Sequence, residues 1–152
     1  MKRKRTWVLV ADGGYAKVFQ SEGRNSELVP VEGMIFSADL PANRDILTDR
    51  PGRVFESQGR ARHAKENPSD PHRELKRAFA RTLAGILETG LVEKRFDRLV
   101  VVAPPVTLGD LRDALPKSVQ SKVVAELAQD LVKTPHSQLA GHLEEVLGRN
   151  SA

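Results

Sequence analysis

Nine basic side chains fall between residues 50 and 81, and their shared chemistry is anion recognition. Arg50, Arg53, Arg60, Arg62 and Lys65 stand in a stretch rich in Gly, Pro and Ser, while Arg73, Lys76, Arg77 and Arg81 follow in a helical pattern. Arg73, Arg77 and Arg81 recur at i+4, so they project from one helix face with Lys76 beside them. Guanidinium forks suit phosphate oxygens, and a helical basic stripe can follow a phosphate backbone, so the partner this pattern fits is nucleic acid. A solvated helix face opposite an apolar stripe gives the same spacing, with Arg77 and Arg81 partly paired to Glu74 or Glu88. Aromatic residues are 5% of the chain, and only Phe55 and Phe79 fall in this stretch, which favours backbone or shape contact over base stacking.

Three further residues could take part in bond chemistry. Asp12 follows an apolar run, where two-metal nucleases place an aspartate on a first strand. Such a site needs other carboxylates converging on it, and the later strand ends on Ala103-Pro104-Pro105 with no acid. Asp12 also precedes Gly13-Gly14, where aspartate is favoured for turn geometry alone, and the turn is the preferred reading. Ser57 could act as a nucleophile and His63 as an acid or base, but no partner for either is dictated by the spacing; hydrogen bonds that shape the loop are the simpler role. His63, His72, His136 and His142 lack metal-ligand spacing, so neither a metal nor a cofactor is expected. No helix follows Gly13-Gly14 as a dinucleotide fingerprint requires.

The elements that must position these residues belong to a chain of 152 residues. That length suggests one domain able to bury about 70% of its unfolded surface. Hydrophobic residues make up 39% and charged residues 29%, ordinary values for a globular protein, and cysteine is absent. The net charge of +4 is unevenly spread: residues 1–5 carry +4, residues 44–81 carry +4 and the remainder −4. The apolar run Trp7–Ala11 after the basic residues is too short for a signal peptide, and no stretch is long enough for a membrane helix. The expectation is a soluble, cytoplasmic protein with a basic tail at 1–5 and an α/β domain at 6–148.

Thr6 to Ala11 reads as a buried strand, Asp12-Gly13-Gly14 as a tight turn, and Tyr15 to Gln20 as the returning strand of a hairpin. Leu28 to Phe36 supplies a third strand, placed at an edge by Pro30, which cannot donate a ladder hydrogen bond. Ser37 to Ser69 is a long exposed loop. Asp70-Pro71 starts a helix whose stripe is Leu75, Phe79, Leu83, Ile86, Leu87 and Leu91, ending near Glu88 to Gly90. Phe96 to Ala103 is a central strand. Thr107 to Asp110 resembles a capping box that opens a helix, with a shorter helical segment over Ser118 to Lys122. Val123 to Ala128 fits strand or helix, and the element order selects strand. Thr134-Pro135 opens a last helix carrying Leu139, Leu143, Val146 and Leu147 inward and ending at Gly148. The order β-β-β-α-β-α-β-α gives a five-stranded mixed sheet of ribonuclease H-like topology, shared with the central domain of archaeal and eukaryotic peptide-release factors.

Three segments then look familiar: Trp7 to Phe19; Gly52 to Ser57 with Arg62-His63-Ala64 and Asp70-Pro71-His72; and Phe96 to Leu99 with Ala103-Pro104-Pro105, Leu108-Gly109 and Val124 to Leu131. In register, they resemble the bacterial family named "protein required for attachment to host cells". That family is considered a relative of the release-factor central domain, and the resemblance implies the same layout of hairpin, third strand, exposed loop and basic helix. It also implies the ribosome or structured RNA as partner. Release factors carry a Gly-Gly-Gln tripeptide in this loop; here the sequence is Ser57-Gln58-Gly59-Arg60-Ala61-Arg62, with Gln58 before its glycine. Arginines where a catalytic tripeptide would stand favour contact over chemistry. The alternatives are a nuclease or peptidyl-tRNA hydrolase, or an attachment factor acting indirectly.

Overall fold

Successive residues of a strand point to opposite faces, and in the first strand both sets are buried. In the computed structural model, which describes residues 4–22, 27–38 and 71–149, β1 (Thr6–Ala11) turns Trp7, Leu9 and Ala11 into one hydrophobic cluster and Val8 and Val10 into another. β2 (Tyr15–Ser21) pairs antiparallel with β1, Ala16 opposite Ala11, and β3 (Val29–Ser37) pairs antiparallel with β2. On the other side of β1 lies β4 (Arg98–Val102), parallel to it, and then β5 (Val123–Leu127), parallel to β4. The sheet order β3-β2-β1-β4-β5 is the five-stranded mixed sheet of an α/β protein that the element order called for. Residues 123–127 are strand, half-buried on alternate positions, as befits an edge.

Four helices are present among the described residues: α1 (Pro71–Val92), α2 (Pro105–Ala114), the single turn α3 (Lys117–Gln120) and α4 (His136–Arg149). The first three cover one face, where Phe79, Leu83, Leu87, Leu108, Leu111 and Val119 pack against Trp7, Leu9, Leu99 and Val101. On the other face, Leu139 and Leu143 of α4 are fully buried against the cluster of Val8, Val10, Val100 and Val102. Among the described residues no helix is long and apolar enough to cross a membrane. Residues 39–70, which hold nearly all of the expected long loop and the Asp70 cap, lie outside the described residues; β3 itself runs to Ser37.

Pro30 sits on the edge strand, and the β2–β3 register shifts between Lys17 and Phe19 close to it. The predicted helix end at Gly90 is corrected: α1 continues to Val92. Gly90 is a packing residue, since a Cβ there would lie 2.9 Å from Cη2 and Cζ3 of Trp7. The helix closes instead on Lys94, at φ 59°, with Arg95 N–H donating to the Gly90 carbonyl and Lys94 N–H to that of Leu91, both at 2.9 Å. This is the paired closure usually built on glycine.

The expected capping box is also corrected. α2 starts earlier, at Pro105 with Pro104 as N-cap, so Thr107 lies inside the first turn and Asp110 caps nothing. The short helical turn covers 117–120 rather than 118–122. A further correction concerns Leu75, expected inward but 60% exposed. It lies on the first turns of α1, beyond the ends of β1 and β4, where no strand remains to cover it.

Candidate functional site

Lys76, near the start of α1, rests on Gly13 just past the end of β1, while Gly90 near the end of α1 touches Trp7 at the start of β1. The helix therefore runs antiparallel to the strand and brings its amino end back over the carboxyl ends of β1 and β4. Beyond those ends the chain diverges: β1 turns into the hairpin toward β2, whereas β4 leads through Pro104 into α2. Divergence of this kind opens a crevice at strand ends, the usual ligand position in α/β sheets. Here the crevice is a cleft of about 600 Å³, bounded by the 12–15 turn, the first turns of α1 and the first turn of α2.

Asp12 lies in this cleft as a turn residue. Its Oδ1 accepts hydrogen bonds from Gly14 N–H at 2.9 Å and Tyr15 N–H at 2.8 Å, and its own N–H donates to the Tyr15 carbonyl at 2.9 Å. Among the described residues no group of three His, Cys, Asp or Glu side chains comes together in a way that could hold a metal ion. Gly13 admits the Lys76 stem, whose Cγ and Cδ would each lie 2.9 Å from a Cβ added at Gly13.

The four basic residues of α1 have different surroundings. Arg73 binds Asp110 of α2 through two hydrogen bonds, and Asp110 is only 9% exposed. Arg77 lies 3.6 Å from Glu74 in a surface ion pair. Lys76 and Arg81 are exposed and form no ion pair among the described residues. Arg77 and Arg81 also line a hollow of about 140 Å³ with Asp110 and Asp113, so acidic groups of α2 stand beside the arginine stripe. Sequence spacing on α1 could not reveal that neighbour, which depends on how two helices pack.

Arg50, Arg53, Ser57, Gln58, Arg60, Arg62, His63 and Lys65 lie outside the described residues. His72 is exposed at the cleft, and His142 is exposed on α4. His136 has a structural place: its Nε2 donates to the Leu28 carbonyl and its ring stacks on Phe19, 5.2 Å between centroids. That contact fastens the amino end of α4 to the start of the edge strand.

Two comparisons with known proteins bear on identity. No curated protein matches the sequence. A family model described as "Protein required for attachment to host cells" matches residues 7–143, which take in β1 from Trp7 onward, the other four strands and α1 to α3. The motifs at the hairpin, at the start of α1 and after β4 all fall within that match, and the chain is therefore a member of the family of proteins required for attachment to host cells.

Proposed function

We propose that this protein is a non-enzymatic module, release-factor-like in layout, that contacts structured RNA or the ribosome through its basic segment at 50–81. The observation that supports this most is the exposure of Lys76 and Arg81, without ion pairs among the described residues, at the end of a segment holding nine basic side chains. Arg77 joins them, because a surface pair with Glu74 at 3.6 Å yields to a phosphate at small cost. Arg73 has another role and fixes α1 against α2. With Ser57-Gln58-Gly59 in place of Gly-Gly-Gln, the reading is contact rather than peptide release. Attachment to host cells is then an indirect outcome of that contact.

Co-sedimentation with ribosomes and filter binding to structured RNA across a salt series test the reading. Affinity should fall with salt along a log–log slope of about 0.7 to 0.9 per phosphate contact. The triple substitution Lys76→Glu, Arg77→Glu and Arg81→Glu should flatten that slope by two to three contacts' worth, about 2 units. No binding at low salt, or a slope indifferent to the triple substitution, rejects it.

A further inference from the structure

We propose that the cleft at the carboxyl ends of β1 and β4 binds a phosphomonoester with an apolar body, of mononucleotide size. Its donors begin with α2. Pro104 supplies no side-chain cap, and the first bond of the helix runs from Leu108 N–H to the Pro104 carbonyl at 2.8 Å. The N–H groups of Val106 and Thr107 thus have no partner among the described residues, at the positive end of a helix dipole.

Thr107 supplies an independent observation. The residue is only 7% exposed, and its hydroxyl has no hydrogen-bond partner among the described residues. It is not sealed in either: the single fully enclosed polar side-chain atom without a partner among those residues is Arg98 Nε. The Thr107 hydroxyl therefore opens to the cleft it lines. The rest of the Thr107 side chain is packed away, so this hydroxyl is a fixed donor that faces whatever occupies the cleft, water or a ligand oxygen. Lys76 adds a full positive charge, held at the cleft by the passage of its stem over Gly13.

The rest of the cleft suits the remainder of such a ligand. Leu75 at 60% and Val106 at 58% are among the most exposed large apolar side chains described, and both line this one cleft beside Tyr15. A volume of about 600 Å³ falls within the usual range for small-ligand sites. The Asp12 carboxylate, also in the cleft, offers an acceptor for a sugar hydroxyl and repels additional phosphates, which favours a monophosphate over a polyphosphate. Lys76 is shared with the proposed RNA surface, whereas Thr107 belongs to the cleft alone and Arg77 and Arg81 lie outside its lining, so Thr107→Val tests the cleft without touching RNA contact.

Isothermal titration calorimetry of the full chain with adenosine 5′-monophosphate tests the site. The monophosphate should bind one to one, with adenosine weaker by about tenfold or more for want of the charged acceptor. Lys76→Gln and Thr107→Val should each weaken binding about five- to tenfold at an unchanged thermal midpoint, while Thr107→Ser, which keeps the hydroxyl, retains it. Competition by a 5′-phosphorylated tetraribonucleotide identifies a nucleic-acid end as the source of the phosphate. Lack of competition identifies the free nucleotide, and either result supports the site. Absence of binding at millimolar monophosphate, or affinity unaffected by both Lys76→Gln and Thr107→Val, overturns it.

Discussion

The guanidinium of Arg73 in α1 grips the carboxylate of Asp110 in α2 through two parallel hydrogen bonds, Nη1 to Oδ2 at 2.8 Å and Nη2 to Oδ1 at 2.5 Å. Fork-on-fork pairing of this kind fixes direction as well as distance. With Asp110 9% exposed and the Arg73 side chain 26% exposed, the pair sets how the two helices meet beside the cleft.

Arg73→Met should therefore destabilise the fold, because it strands a nearly buried carboxylate. The expected loss is about 1–3 kcal/mol, below the full cost for a wholly buried pair because Arg73 is partly solvated. Adding Asp110→Leu should recover most of it, since an apolar pair of similar volume has no charge to desolvate. Urea denaturation of the single and double variants checks this; equal loss in both would show that the pair does not act as a unit.

Two glycines of α1 should respond oppositely to alanine. At Gly90 a Cβ would meet the Trp7 ring at 2.9 Å and Phe96 at 3.4 Å, and those rings are stacked 4.7 Å apart in the core. The overpacking outweighs the gain in helix propensity, for a net loss of about 1 kcal/mol. At Gly85 nothing lies within 4 Å of the added atom, so alanine should stabilise by about 0.5–1 kcal/mol. Chemical denaturation reads both, and the emission of Trp7, the sole tryptophan, should shift in Gly90→Ala alone.

Asp97 should titrate below the ordinary carboxylate value. The backbone N–H of Arg5 donates to its Oδ2 at 2.7 Å, the largest cause, with the Arg5 and Lys4 charges assisting against slight burial. A depressed folded value means that the contact contributes fully above about pH 4, the unfolded value, and is lost as pH falls through the lower folded one. The Asp97 side chain is 42% exposed, so the stability at stake is small. Carboxyl NMR titration gives the value directly. In Asp97→Asn the stability deficit should be constant near neutrality and close in acid; a deficit that persists unchanged below the folded value would refute the assignment.

Features set by local pattern were legible in the sequence. The hairpin at Asp12-Gly13-Gly14, the edge position of Pro30 and the burial of β1 and β4 all follow from periodicity or turn chemistry. The family was legible too, because its motifs fall in register along the chain. What escaped depends on contact between distant segments. Gly90 reads as a helix stop until Trp7 is seen against it, and Thr107–Asp110 reads as a capping box until Arg73, 37 residues away, is seen to hold Asp110. Leu75 fits an apolar stripe, and its exposure follows only from where the strands end. The cleft joins a hairpin turn, one helix start and another, none conspicuous alone.

Arg5 is tied to the amino end of β1 through Asp97 and, via its Nη2, the Lys94 carbonyl, whereas Lys76 sits at the carboxyl end of the same strand. Six residues of extended chain separate the two, about 20 Å at the usual rise. With a screening length of about 8 Å at physiological salt, the two side chains are electrically independent, and Arg5 is already paired with Asp97. No single phosphate can bridge them. A polyanion that engages both must lie along the strand direction, with about six phosphates of one strand between them.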